Sequence, residues 1–491
     1  MEMVKHKGFA LATLATAQCM VILDATIVNV ALPTIQKSLH FTNDAQLQWI
    51  VTAYALTFGG FLLLGGRLAD LFGRRRIFLT GVVAFAIFSL GSGLTQSPGQ
   101  LIAFRALQGL AGAILAPSAL AIVLTIFKEG KERNRAIGIW SMVAAGGGAI
   151  GLLLGGILTQ YANWRWIFFI NIFIGIAVFT ASMKYVPKIT ERKKQKIDYV
   201  GGITSTGGLI SLVYALSVAP TDGWTGTSTL IALALFVVLM GTFIVNELRV
   251  EHPLVKLSIF RRRNVSGGSL IQILVPASMY GMFFYLSIYL QQILHYSPTR
   301  TGLADVPFTI VLIIVAGYLS RRLTKINPKL VVTIAPLIVA AGLVIFSRIA
   351  VHSHYLSNIL PGVIVMSIGV AAVFVTATIV TTSGSTQEES GLISGLINTG
   401  QQVGGAIGLA VLSVISTTVT KNDMAKAHGN PADLLSATVH GFQRGFLVAT
   451  VFAVAASIIA LTVLKTHKPT TDEVGRETEI EAESLPAIPG V

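Results

Sequence analysis

Apolar stretches long enough to cross a bilayer recur fourteen times along the chain, separated by polar breaks. A crossing helix needs ~20 predominantly apolar residues. The pattern predicts helices over 9–32, 46–65, 77–95, 99–126, 136–158, 165–184, 200–218, 228–247, 265–290, 302–320, 329–348, 357–380, 391–418 and 442–464. The first stretch starts like a secretion signal, with Lys5 and Lys7 ahead of Phe9 to Ala17. Its apolar run continues through Val21, Ile22 and Leu23 to Leu32, longer than the core of such a signal, about 7–15 residues. It reads as the first membrane helix, and the expected fold is an all-α integral membrane protein.

Composition agrees: of 491 residues 53% are hydrophobic and 12% charged, about half the charged share of a soluble domain. Mean hydropathy is +0.73. One cysteine, Cys19, leaves no internal disulfide. The formal net charge of +14 would suit nucleic acid, but its placement gives it another role. With the N-terminus cytoplasmic, the cytoplasmic segments hold 28 Lys and Arg and the external loops six (Lys37, Arg165, Arg300, Arg348, Lys421, Lys426). That asymmetry puts both termini in the cytoplasm and assigns the charge to topology, with no nucleic-acid partner. Trp49, Trp140, Trp164 and Trp166 fall at predicted helix ends and Trp224 in an external loop, where interfacial indoles are expected.

The chain also repeats itself. Gly147, Gly151 and Gly155 on the fifth predicted helix match Gly400, Gly404 and Gly408 on the thirteenth at a constant offset of 253. Gly66-Arg67-Leu68 at the end of the second matches Gly317-Tyr318-Leu319 at the end of the tenth, ahead of Arg321 and Arg322, at an offset of 251. These offsets predict an N-terminal six-helix half (1–185), a basic loop (186–199), two inserted helices (200–247), a second basic loop (248–264), a C-terminal six-helix half (265–464) and a disordered cytoplasmic tail (465–491). Transporters built from parallel repeats around a midplane site have this plan. Close helix packing through small residues is the alternative source of the glycine stripes.

Asp24 lies deep in the first helix and Arg105 in the fourth; charges inside a membrane are costly unless neutralised or paired. Burial favours the neutral form of Asp24, so it can load and release a proton; a fixed ion pair that ties helices is the alternative. Gln108 and Gly112 follow Arg105 at one-turn spacings and mark one face of the fourth helix. Asp305 sits one turn into the tenth helix, where it could take protons, attract cations or simply be solvated. Glu388 and Glu389 precede the thirteenth helix and suit its N-terminal dipole. The ninth helix carries Met279, Tyr280, Met282, Phe283, Phe284, Tyr285 and Tyr289. Aromatic faces and thioethers suit a pocket for flat lipophilic cations, although ordinary helix packing uses the same residues. No G-x-x-x-x-G-K-[ST] loop or H-E-x-x-H motif is present, and His352 with His354 lack acidic neighbours. The residues thus suggest neither an enzyme, an ATP-driven pump, a metal site nor a cofactor.

Several of these stretches resemble one family. Gly66-Arg67-Leu68-Ala69-Asp70-Leu71-Phe72-Gly73-Arg74-Arg75-Arg76 resembles the loop signature of the major facilitator superfamily. Leu23-Asp24-Ala25-Thr26-Ile27-Val28-Asn29-Val30-Ala31-Leu32-Pro33 resembles the first-helix signature of its fourteen-helix drug/proton antiporters. Arg105-Ala106-Leu107-Gln108-Gly109 with Gly112, and Trp164-Arg165-Trp166-Ile167-Phe168-Phe169-Ile170-Asn171, are similar to further motifs of that branch. The sequence departs from the pattern at Leu152 after Gly151, at Phe173, and at Gln401, where the family usually has Pro, Pro and often Arg.

The resemblance implies a monomeric multidrug efflux antiporter of a bacterial inner membrane, with small lipophilic or cationic drugs, protons and the lipid bilayer as its partners. The alternative is a dedicated exporter of one metabolite, self-made antibiotic or lipid. It further implies proton coupling through Asp24, Arg105 and Asp305, and substrate contacts at Asp24, Gln108, Tyr280, Phe283 and Phe284. The loop cluster Asp70, Arg74, Arg75 and Arg76, with Gly66 and Gly73, would be a latch that holds the cytoplasmic ends together in the outward-open state; basic charge placed for topology alone is the alternative reading of the arginines. Gly147, Gly151 and Gly155 form the antiporter stripe.

Overall fold

A computed structural model describes residues 7–127, 131–187, 198–251, 253–322, 327–383, 387–426 and 431–465, and among these there is helix and turn but no strand. The tail past Lys465 and the basic-loop residues 188–197 lie outside the described residues. The long helices are α1 (Lys7–Leu39), α2 (Trp49–Phe72), α3 (Arg74–Leu94), α4 (Pro98–Ile126), α5 (Lys131–Tyr161), α6 (Trp166–Tyr185), α7 (Tyr199–Asp222), α8 (Thr227–Arg249), α9 (Arg263–Ile288), α10 (Pro298–Arg322), α11 (Pro328–Phe346), α12 (Leu360–Thr382), α13 (Gln387–Lys426) and α14 (Pro431–Val463). Among the described residues thirteen helices are long and apolar enough to cross a membrane. The remaining one, α5, is 31 residues long and packs lengthwise between α1 and α10, two of the thirteen.

Hydropathy marks where the apolar slab ends, whereas backbone hydrogen bonding continues into polar turns. Hence α1 runs past 32 to Leu39, carrying Pro33 inside it, and α13 extends beyond 391–418 at both ends. A π-helical turn, Tyr289–Ile293, prolongs α9. Between α1 and α2 lies a one-turn helix, Asp44–Leu47, whose cap Asn43 accepts a hydrogen bond from the Gln46 amide at 2.8 Å. Burial favours the protonated form of Asp44, and a hydrogen bond from Gln36 opposes it, so its carboxyl titrates above the ordinary aspartate range. The tryptophans do not all face an interface: Trp140 and Trp164 are buried, while Trp166 and Trp224 are exposed.

The helices pack in two groups. In the first, α1 lies against α4, α5 and α6, α2 against α4, and α3 against α4 and α6. In the second, α9 lies against α12, α13 and α14, α11 against α12 and α14, and α10 against α12. The groups meet where α2 packs on α13, α5 on α10 and α1 on α9. Exchanging the second helix with the tenth and the fifth with the thirteenth, as the repeat offsets do, turns the α2–α13 contact into the α10–α5 contact.

The glycine stripes explain how each group is built. A Cβ on Gly147 would meet Cys19, one on Gly151 the Leu23 carbonyl at 2.9 Å, and one on Gly155 the Ile27 carbonyl, so α5 lies directly on the α1 backbone. On α13, Gly404 abuts Ile273 and Gly408 abuts Ala277 of α9 in the same way. Leu23 and Ile273 stand 250 positions apart, as do Ile27 and Ala277, so the repeat extends to the partner helices. Small residues permit such approach and gain dispersion contacts along the whole seam.

The inserted pair is not isolated. Helix α8 packs on α7, and α7 lies against both α2 and α13, over the seam between the groups. Polar bonds tie it to α2: Gln48 donates to the Ser217 hydroxyl at 2.8 Å. At the opposite end Arg67 donates to the Pro253 carbonyl. Its described side-chain cluster with α13 is apolar, through Val213, Ala406 and Ala410.

Candidate functional site

The start of α1 and the Arg74–Arg76 turn define a basic end of the bundle, opposite a far end. Between them Asp24 is fully buried, and so are Arg105 and Gln108 of α4. Arg105 donates through Nη1 to Asp24 Oδ2 at 2.5 Å and to Gln108 Oε1 at 2.8 Å. Gln108 Nε2 donates to Asp24 Oδ1 at 2.8 Å, and Asn171 Nδ2 of α6 donates to the same oxygen at 2.7 Å. Asn171 also donates to Ser89 of α3 at 3.1 Å, and Ser89 to the Phe168 carbonyl at 2.8 Å. Arg105 Nε closes the network on the Ile50 carbonyl of α2 at 3.1 Å. Its guanidinium stacks on Tyr54, 4.3 Å from the ring centroid, a favourable cation–π geometry.

Three helices therefore meet at a single carboxylate, and the network around it reaches five. Taking both charges out of water costs several kcal/mol per ion, recovered only with close geometry and satisfied donors, and here three N–H donors converge on two oxygens. Protonating Asp24 would remove its Coulomb tie to Arg105 without changing its volume. The cluster is a buried ion pair at a helix junction, held by neutral donors on both sides.

Asp24, Arg105 and Gln108, each singled out separately in the sequence, come together here, and Gln108 bonds through both ends of its amide inside the cluster. Asn171, Ser89 and Tyr54 were not singled out, although Asn171 and Ser89 carry a detectable signal as polar side chains within apolar spans. Asp305 is buried on α10. It has no hydrogen bond or ion pair among the described residues, and Tyr355 is near enough to feel its charge. Tyr280 donates to Gln402 Oε1 at 2.5 Å. Phe283 packs edge-on against Phe308 with centroids 4.9 Å apart. Both keep partial exposure. Phe284, one turn along from Tyr280 and next to Phe283, is fully buried, edge-on to Tyr285. A second polar chain joins Gln401 to Gln272 at 3.0 Å and Gln272 to Thr378 at 3.1 Å.

At the basic end, α2 and α3 are separated by Gly73 alone, at φ +98°, a conformation that side chains disfavour. Gly66 is under no such constraint, since a Cβ there would meet only Pro117 at an ordinary 3.7 Å. Arg74 donates to Thr125 and Ala121 of α4, a bond within its own group. The side chains of Asp70, Arg321, Arg322, Glu388 and Glu389 lie outside the described residues. Among the described residues Thr399 of α13 donates to the Gly59 carbonyl of α2 at 2.9 Å, and further bonds tie the groups at the far end. Ser287 donates to the Asn29 carbonyl at 2.7 Å, Gln291 to the Val30 carbonyl at 2.8 Å, Gln292 to Gln36 at 2.8 Å and the Thr299 amide to Gln160 at 3.2 Å.

Comparison with known proteins agrees with this architecture. The sequence profile described as Major Facilitator Superfamily matches residues 14–409. The chain is 36% identical to the puromycin resistance protein of Streptomyces alboniger, over 96% of this chain and 94% of that one. It is 35% identical to the cephamycin export protein of Amycolatopsis lactamdurans, over 92% and 91%. Among solved structures, a bacterial homologue of the human lysosomal transporter Spinster, inward-facing and unoccupied, superposes with a TM-score of 0.68 at 16% identity, covering 95% of this chain and 99% of that one.

Proposed function

This chain belongs to the major facilitator superfamily, and on that premise we propose that it exports lipophilic or cationic drugs and antibiotics in exchange for protons, by alternating access. The observation that carries the reading is Asp24, fully buried among Arg105, Gln108 and Asn171. In the outward-open state Asp24 takes a proton and lets go of Arg105. The groups rock about the α1–α9 contact, and release of the proton at the basic end restores the ion pair or leaves the carboxylate for a cationic substrate. Substrate and proton then compete for one group, and their coupling is reciprocal in binding free energy. The far-end hydrogen bonds support a state closed on that side, which in this reading is the exterior of a bacterial inner membrane. Tyr280 and Phe283 supply aromatic faces for the substrate, and Asp305 is the next candidate carboxylate.

Dye efflux from everted vesicles under an imposed pH gradient tests this directly, comparing wild type with Asp24→Asn. Proton-driven movement should vanish in the correctly inserted variant. Undiminished transport would remove Asp24 from the coupling and leave Asp305 in its place.

Two relatives favour a second reading, since each is named for one antibiotic, whereas a relative from Mycobacterium tuberculosis, 33% identical, is named a multidrug resistance protein. A dedicated exporter would protect a sensitive host against a single compound in a broad susceptibility panel, whereas a multidrug pump would protect against several unrelated ones.

A further inference from the structure

Three consecutive arginines open α3, and two of them have protein partners. Arg74 donates to the Thr125 hydroxyl at 2.5 Å, and Arg75 to the Met183 and Ser182 carbonyls at 2.9 and 3.2 Å. Arg76 is exposed, and its guanidinium has no hydrogen bond or ion pair among the described residues. It stands at the head of an open groove between α3 and α6, whose floor and walls include Leu79, Val83, Ile87 and Phe88 of α3 and Phe179 of α6. Arg76, Leu79, Val83 and Ile87 follow one another at one-turn spacings, so the groove runs along a single face of α3. Val83 and Ile87 are 41% and 57% exposed, so the fold itself leaves this surface uncovered. Thr80, also in the groove, donates its hydroxyl to the Arg76 carbonyl at 3.0 Å, which leaves the walls apolar. No acidic side chain lines the groove.

The dimensions match one leaflet. Twelve residues of helix from Arg76 to Phe88 rise about 18 Å, close to the ~15 Å of hydrocarbon in half a bilayer. The charge lies at the basic end, where the headgroups of the inner leaflet belong.

We propose that this groove is a binding site for an anionic phospholipid, with one acyl chain laid along α3 and α6 and the phosphate on the Arg76 guanidinium. Apolar walls hold either class of lipid chain. The unpaired guanidinium selects the headgroup, because an anionic lipid offers a charge-assisted bond without bringing a second cation near Arg76. Arg75 and Arg74 brace the same turn against α6 and α4, so the lipid would sit beside the turn between α2 and α3.

Native mass spectrometry on the full chain, purified and delipidated in detergent, tests this with three probes: phosphatidylglycerol, phosphatidylcholine of the same chains, and glycerol phosphate. Wild type should retain phosphatidylglycerol about fivefold better than phosphatidylcholine, the worth of one basic residue at an anionic surface. Arg76→Gln should equalise the two lipids, Arg76→Lys should keep the preference, and Ala84→Trp, which fills the groove, should lower retention of both. A wild type without preference, or Arg76→Gln with its preference intact, would overturn the proposal. Glycerol phosphate held as well as the lipid would remove the acyl groove from it. Should Arg76→Gln fail to fold, Ala84→Trp decides: retention equal to wild type sinks the site.

Discussion

The amide of Asn171 donates to Oδ1 of Asp24 at 2.7 Å, although the two residues are 147 positions apart and sit on α6 and α1. The same amide reaches Ser89 of α3, so a neutral side chain holds one oxygen of the carboxylate while Arg105 holds the other. An ion pair held on both sides has little freedom to reorient unless one of its charges changes.

Arg105 should therefore be indispensable to stability while Asp24 is charged. Arg105→Ala leaves a buried carboxylate unpaired, a loss of about 3–5 kcal/mol, and should lower the thermal unfolding midpoint in detergent markedly. The double variant Asp24→Asn with Arg105→Gln should regain much of that loss yet fail to couple transport to a pH gradient. Equal destabilisation by the single and double variants would mean that packing, and not charge, explains the pair.

Asn171→Ala should weaken the cluster by about 1–3 kcal/mol, the cost of leaving buried polar partners unsatisfied. Transport should persist with a displaced pH profile, because the ion pair remains but its orientation loosens. An unchanged profile in vesicles would reduce Asn171 to a packing residue.

The glycines divide by geometry. Gly151→Val should disrupt α1 against α5, since even a Cβ lies 2.9 Å from the Leu23 carbonyl; overpacking of this kind costs about 1–3 kcal/mol. Gly148→Ala should be tolerated, with nothing within 4 Å of the added atom. Expression level and melting temperature of the two variants, compared side by side, check the contrast.

In a Cys19→Ser background, a short cleavable linker between cysteines at Gln36 and Gln292 should stop transport by holding the far ends together, and reduction should restore it. A linker between cysteines at Gln48 and Ser217 should leave transport running, because α7 is bonded to α2 and meets α13 through apolar contacts. Inhibition by the second linker would show that α7 must move relative to α2.

Much of this was legible in one dimension. The fourteen helices, the repeat, and the two charged residues in apolar spans follow from the chain alone, because the bilayer makes hydropathy and burial of charge nearly local properties of the sequence. The glycine stripes signalled close packing but not what they pack on. Three-dimensional packing decided the rest. Whether Asp24 touches Arg105 depends on how α1, α4 and α6 rotate about their axes, and no spacing along one helix reveals that. Phe284 is fully buried against Tyr285 while its neighbour Phe283 keeps partial exposure, and Gln108 bonds inside the cluster, because the helices around them and not their spacing set what each side chain meets. The inserted pair finds its place over the α2–α13 seam because distant residues meet when the bundle closes: Gln48 with Ser217, Val213 with Ala406 and Ala410, and, in the loop that follows the pair, Pro253 with Arg67.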